Sequence, residues 1–370
     1  PEYSFWLTDA AFTQLSQDVV TPHTPWATPY AGKELDLVVI APRWTQRATV
    51  ELQQRFDFDA IAIMAYRSQD WGDTDSPHYY WISSGTDDLL TQRAMATIGA
   101  RRRPDVIMIG WMNSSVIPQN VQQEIIDAVE DGAGLVIYNP RPLSGNLKTF
   151  IDQCKPIADE TINAVVDGIP MGNLPPFKSQ HPRDLVGGGI EFYRSDGGGR
   201  IAVAVVDLSP LSVIPVETPN SLGYIGCNSY FSPPASQDVR DIHYDYYSSL
   251  AGRLILWAGE NMPEVKLTGW GKLNTKIDTK GEGGHLGDLL IRAKILPQAA
   301  QAELIIRDFN STVEQQSILE INEDGQIRVV MEQLKSGGHY ADIILRDADG
   351  KVLDWGSKHF ISNTDAKIVS

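Results

Sequence analysis

Between residues 70 and 81 the chain crowds acids and aromatics into one stretch, RSQDWGDTDSPHYYWISSGTDD, in which Asp70, Asp73 and Asp75 stand beside Trp71, His78, Tyr79, Tyr80 and Trp81. Aromatic faces stack on the apolar faces of sugar rings, and carboxylates and imidazoles hydrogen-bond hydroxyls. Trp71, Asp73, Asp75, His78, Tyr79, Tyr80 and Trp81 therefore form a candidate carbohydrate-binding set. A pair of carboxylates among Asp70, Asp73 and Asp75 can also serve glycoside cleavage, at a separation that only a structure supplies. The same composition equally suits a loop that packs on a neighbouring domain or subunit.

A second polar group, QDVRDIHYDYY, carries Asp241, His243 and Asp245. On an extended segment, alternation puts these three on one side, where they can coordinate a cation. They serve as well as first-turn acids of the helix that follows. Ser114 and Ser115 follow a buried strand and are candidate nucleophiles. A serine hydrolase, however, needs a glycine elbow and a partnered histidine, and the elbow is missing. Capping the next helix is their competing role. Cys154 and Cys227 are the only cysteines. They make neither a disulfide framework nor a zinc site. His181, His285, His339 and His359 are scattered. No cofactor is called for, and no catalytic residue is assigned.

The elements that must hold these groups begin with Leu35 to Ile40, a first strand, followed by a helix starting near Thr45 with Ala48, Leu52 and Arg55 or Phe56 on a face. Ile61 to Ala65 is the second strand, and Asp87 to Ile98 a second helix. Asp105 to Gly110 reads as a fully buried strand. Asn113 and Ser114 offer N-caps to the next helix, with Pro118 in its first turn. Val121, Ile125, Ile126 and Val129 recur along one face of that helix. Asp131-Gly132-Ala133-Gly134 stops it, and Leu135 to Tyr138 returns as a strand. Strand, helix, parallel strand is a unit covered on both sheet faces. Its repetition predicts a flavodoxin-like, doubly wound α/β domain. Two proline- and glycine-rich excursions follow, separated by a strand at Ile201 to Val206. The domain then closes with a helix bearing Tyr247, Leu250, Leu254 and Trp257, with Gly259 as its C-cap.

After Pro263 the texture changes to about seven short strands with turns at NEDG and DADG, the signature of an all-β immunoglobulin-like sandwich. Leu334 and Tyr340 have the spacing of a tyrosine corner. The expected organisation is an arm over 1–32 packed by its aromatics on the first domain, the α/β domain over 33–262, and the sandwich over 263–370. A chain of 370 residues suits two domains. Its formal net charge of −16 excludes phosphate-backbone binding. The one basic run, Arg101 to Arg103, sits where a helix C-terminus favours cations. No apolar run reaches membrane-spanning length. The acidic, Trp- and Tyr-rich composition favours export to the periplasm or beyond.

DVIMIGWMNSS followed by a helix and GAGLVIYNP, then GGGRIAVAVVDLSP, and finally YYSSLAGRLILWAGE resemble the class I glutamine amidotransferase-like superfamily. Within it the nearest likeness is to ThuA-like proteins and to the trimerisation domain of certain β-galactosidases. The resemblance spans roughly Leu35 to Glu260. The second domain resembles immunoglobulin-like modules attached to large bacterial polysaccharide-degrading proteins. The superfamily's enzymes place a cysteine on a strained strand-to-helix turn within Gly-x-Cys-x-Gly, beside backbone N–H groups that hold an oxyanion. Here the turn reads GWMNSS, so glutamine hydrolysis is not expected. The resemblance implies a non-catalytic assembly or carbohydrate-recognition region of a bacterial polysaccharide-processing protein. Carbohydrate, self-association or further domains of a larger chain are its expected partners. The alternatives are a carbohydrate-active hydrolase using the acids of the Asp70–Asp75 loop, and a structural surface or scaffold protein.

Overall fold

The computed structural model describes residues 30–42, 46–67, 79–80, 87–100, 103–110, 114–138, 143–157, 165–170, 189–204, 242–278, 283–293, 300–308 and 312–363. Five strands, β1 (Leu35–Pro42), β2 (Phe58–Arg67), β4 (Val106–Gly110), β5 (Gly134–Tyr138) and β8 (Arg200–Ala204), pair in parallel in the order β2-β1-β4-β5-β8. Two-residue β3 (Tyr79–Tyr80) adds antiparallel beyond β2. At the other edge β7 (Ile190–Arg194) and β6 (Lys155–Pro156) also run antiparallel. The helices among the described residues include α1 (Gln46–Arg55), α2 (Asp87–Ile98), α3 (Gln119–Glu130), α4 (Gly145–Gln153) and α5 (Ile242–Ala258).

The side-chain period of two divides each parallel strand between two cores. Val38, Ile40, Ile107, Ile109, Leu135, Ile137, Ile201 and Val203 point to one face, beneath α2, α3 and α4. Leu35, Leu37, Val39, Val106, Met108, Val136, Ala202 and Ala204 point to the other, beneath α1 and α5. Strands buried on both faces explain the unbroken apolar runs in the sequence.

The second sheet system consists of β9 (Lys266–Thr268), β10 (Lys276–Asp278), β11 (Gly284–Arg292), β12 (Gln301–Asp308), β13 (Val313–Leu319), β14 (Gln326–Met331), β15 (Gly337–Arg346) and β16 (Val352–Asn363). It forms a sandwich of a five-stranded sheet, β10-β16-β15-β12-β13, and a three-stranded one, β14-β11-β9. Leu286, Leu289, Leu304, Ile306, Ile327, Val329, Ile343 and Phe360 fill the space between.

Several expectations need correction. The N-cap of α3 is Pro118, which offers no side-chain bond. Gln122 reaches back from inside the helix instead: its Nε2 donates to the carbonyls of Ser114 (3.1 Å) and Ile117 (2.7 Å). Buried Gln122 thereby joins Val121, Ile125 and Val129 on the inner face of α3. Helix α4 and strand β7 lie within a stretch read as irregular, because its glycines and prolines masked two short apolar runs. Tyr340 is not a tyrosine corner. It shares parity on β15 with Asp342 and Ile344 and points out of the sandwich toward α5, whereas Ala341, Ile343, Leu345 and Leu334 line the interior.

Helices α3 and α5 end alike, and only one as the sequence suggests. After α3, Gly132 (φ 102°) takes the left-handed position, with Ala133 N–H bonded to Ala128 O and Gly132 N–H to Val129 O. After α5 the same two-bond pattern joins Asn261 to Leu256 and Glu260 to Trp257, but the left-handed residue is Glu260 (φ 55°), not glycine. Gly259 precedes it and serves packing: a Cβ there would stand 2.9 Å from Val106 Cγ2.

Of the arm, only Tyr30 to Gly32 is described. Tyr30 forms a parallel bridge to Val352, and Ala31 N–H donates to Val352 O at 3.0 Å. This end of the arm therefore touches the sandwich as well as the α/β layers.

Candidate functional site

The parallel strands all deliver their carboxyl ends to one rim, where open α/β sheets bind ligands. At the carboxyl end of β2, Tyr66 pairs with Tyr80 and Arg67 with Tyr79, antiparallel, at the sheet edge. The backbone thus carries Tyr79 and Tyr80 to the rim. Trp71, Asp73, Asp75, His78 and Trp81 lie outside the described residues, as do Asp70 and Cys227.

The expected cation site needs an extended segment, and the backbone from Ile242 onward is helical. His243 and Asp245 fall inside α5. Asp241 lies outside the described residues. Among the described residues no group of three or more His, Cys, Asp or Glu could hold a metal ion.

Ser114, at the rim beyond β4, opens a short 3-10 turn (Ser114–Val116) and is buried. Its hydroxyl donates to Ser144 O at 2.8 Å and accepts from Ser144 N–H at 2.7 Å. Rather than capping α3, it staples the connection after β4 to the start of α4. A hydroxyl held on both sides by one backbone residue is not poised to attack. The Cys154 thiol lies behind α4, bonded to Phe150 O at 3.3 Å. Burial, with Glu130 and Asp196 nearby, pushes it up to about 11. A thiol so raised is protonated at neutral pH and inert.

Sequence reasoning missed the most elaborate side-chain chemistry, which lies where α5 meets the outer face of the five-stranded sheet. Arg253, buried on α5, donates to the backbone carbonyls of Val165 (3.2 Å), Asp167 and Trp355, and its guanidinium lies 4.8 Å from the centre of the Trp355 ring. Burial lowers its proton affinity, while Asp354 and Asp167 oppose that shift. The Trp355 indole N–H donates to Ser249 Oγ at 2.8 Å, and its ring meets Phe56 and Tyr30 edge-on. One turn earlier on α5, the Tyr246 hydroxyl donates to Asp342 Oδ1 at 2.9 Å, and Arg307 Nε donates to Asp342 Oδ2 at 2.6 Å. Ser357 donates to the same carboxylate. Burial pushes Asp342 upward and Arg307 pulls it back. Three donors converging on its two oxygens hold it as an acceptor. The signal for this seam was present in the sequence as Arg253 within an apolar helical run and Asp342 within an apolar strand, since buried charges demand partners.

Trp270 completes the seam from the sandwich side. A Cβ on Gly168 would come within 2.8 Å of its ring and one on Gly356 within 2.4 Å, so the indole is slotted between two glycines. Ser357 N–H bonds Gly168 O alongside, at 2.5 Å. Beside this slot opens a cleft of about 990 Å³, walled by residues 166–170, by Arg253, by residues within 262–276 and by β16. Asp167, Lys266, Lys276, Lys358 and His359 line it. Burial raises Asp167 and Asp354, with Arg253 and Lys266 pulling both down.

No protein-family model and no curated protein matches the chain. Solved structures similar to parts of it include CopC from Methylosinus trichosporium OB3b (10% identity, 28% of this chain and 98% of that one, TM-score 0.22). The fibronectin(III)-like modules of Clostridium thermocellum CbhA show 14% identity over 28% of this chain and 99% of theirs, with a TM-score of 0.18. The endo-β-1,4-mannanase from Thermotoga petrophila shows 11% identity over 70% of this chain and 48% of its own, with a TM-score of 0.22. Likenesses this distant assign no function. No helix among the described residues is long and apolar enough to cross a membrane.

Proposed function

We propose that the chain is a non-catalytic carbohydrate-recognition and assembly region of an exported bacterial polysaccharide-processing protein. One observation carries the non-catalytic half: at the strand-to-helix turn where an amidotransferase-like enzyme holds its nucleophile, Ser114 is buried and bonded on both sides by Ser144. The parallel order β2-β1-β4-β5-β8 with helices on both faces supports a flavodoxin-like domain of the amidotransferase-like kind, since it is the 2-1-3-4-5 order of doubly wound folds. In the sandwich, β14-β11-β9 facing β10-β16-β15-β12-β13 supports the immunoglobulin-like assignment. It corresponds to strands E, B and A against a sheet centred on G, F and C. The acidic, aromatic-rich composition favours export.

Recognition is assigned to the stretch that carries Trp71, Asp73, Asp75, His78, Tyr79, Tyr80 and Trp81. A glycan array probed with the intact chain and with a Trp71→Ala/Trp81→Ala double variant tests it. Binding that disappears in the variant is the expected result; an array silent to the intact chain overturns recognition.

A further inference from the structure

The cleft beside the Trp270 slot departs in charge from the acidic balance of the chain. Its walls carry four cationic side chains, Arg253, Lys266, Lys276 and Lys358, against the two carboxylates Asp167 and Asp354. The chain as a whole has a formal net charge of −16. Arg253 is spent on backbone carbonyls and faces buried Asp354, and Lys266 acts on Asp167 and Asp354 together. That leaves Lys276 and Lys358 as the surplus. Neither is ion-paired among the described residues; Lys358 uses one proton on Trp270 O at 3.2 Å and keeps two. Lys276 is exposed.

A recessed site with low-dielectric walls focuses the field of such a surplus and concentrates counter-ions within it. The volume, about 990 Å³, lies at the upper end of small-ligand sites, which is room for an oligomer rather than a single small ion. Thr268, Thr275 and His359 add hydroxyl and imidazole groups suited to polar ligands. We propose that this cleft between the two sheet systems binds an anionic oligosaccharide, its carboxylates held by Lys276 and Lys358. The saccharide half of this assignment rests on the carbohydrate reading above; the charge half rests on the cleft alone. The residues that line it are not those of the 70–81 stretch.

The test is calorimetric titration of the full chain with oligogalacturonate and, at equal length, with an uncharged cello-oligosaccharide. Lys276→Gln alone and Lys276→Gln/Lys358→Gln are run alongside, and the exposed single variant guards against misfolding of the double. The expected result is binding of the acidic oligomer only, weakened at least about tenfold in the double variant and falling as salt rises from about 50 to about 500 mM. Equal binding of the neutral oligomer, or affinity unchanged in both variants, overturns the anionic assignment and leaves carbohydrate recognition standing. Failure to bind oligogalacturonate also overturns the inference; the carbohydrate reading falls with it only if the glycan array is silent as well.

Discussion

The two faces of the parallel sheet are built on different principles. Under α2, α3 and α4 the buried layer is almost wholly aliphatic, with Val38, Ile40, Ile107, Leu135, Ile137 and Ile201 at its centre. Under α1 and α5 the aliphatic strand residues are joined by aromatics such as Phe56, Phe58, Phe192, Tyr246 and Trp257, and the layer continues into the sandwich through Tyr340, Ile344, Val352 and Trp355. It is also pinned by Arg253 and by the Arg307–Asp342 pair. The aliphatic face stabilises burial but names no orientation, because hydrophobic contact is non-directional. The other face uses guanidinium forks, carboxylates and an indole N–H, whose bonds are satisfied in one arrangement only. The difference teaches that the two sheet systems are not beads joined by a linker: their relative placement is specified by side chains as closely as either interior.

The largest effect that sharpens this contrast is expected from Arg253→Met, which strands three buried carbonyls and leaves Asp354 without its nearest guanidinium. A loss of about 3–5 kcal/mol is expected from breaking a buried charge partnership, read from urea midpoints. A shift below ~1 kcal/mol would show that the seam is ornamental. Asp342→Asn, which leaves Arg307 charged and unbalanced, should cost a comparable ~3 kcal/mol. On the aliphatic face, Ile137→Val removes one methylene and should cost only about 1 kcal/mol, without altering the sharpness of the unfolding transition. Ser114→Ala is expected to lose ~1–2 kcal/mol through unsatisfied Ser144 groups.

A smaller, opposite change tests the helix ends. Glu260→Gly relieves a left-handed conformation that costs a non-glycine residue about 1 kcal/mol, but gives up the ion pair with Arg200 at 2.9 Å. That pair is half-exposed and worth less, so a gain of ~0.5 kcal/mol is expected in thermal melts.

The pH dependence separates the seam from ordinary surface acids. Asp167 is raised by burial, so the folded chain holds its proton more tightly than the unfolded one. Its contribution is fully present below the ordinary carboxylate value of 3.8 and is lost as pH rises through the folded value. Denaturant titrations from about pH 4 to 7 should therefore show the intact chain losing stability relative to Asp167→Asn as pH rises. Parallel curves would remove Asp167 from the seam's electrostatics.

Much of the framework was legible. Leu35 to Ile40 and Leu135 to Tyr138 are apolar runs that only a doubly covered strand explains, and the Asp131-Gly132 stop after α3 has one structural reading. The seam was not legible, for a physical reason. Periodicity reports that a residue is buried, not against what, so Tyr340 read as a sandwich corner although it faces α5. Trp355 and Trp270 carry no pattern that singles them out. Glycine rules also misplaced the α5 terminus by one residue, because Gly259 answers to Val106 and Glu260 bears the turn. In D-x-H-x-D, alternation has meaning only on a strand, and α5 begins inside the pattern at Ile242.

The bridge from Tyr30 to Val352 has a kinetic consequence. Backbone groups separated by most of the described sequence must meet, so the seam closes at high contact order and late in folding. During synthesis the aromatic face under α5, with Phe56, Tyr246 and Trp257, emerges from the ribosome well before Trp355 arrives to cover it. The nascent chain passes through an interval with a sticky, half-built surface, when chaperone capture and misassembly between neighbouring chains compete with completion.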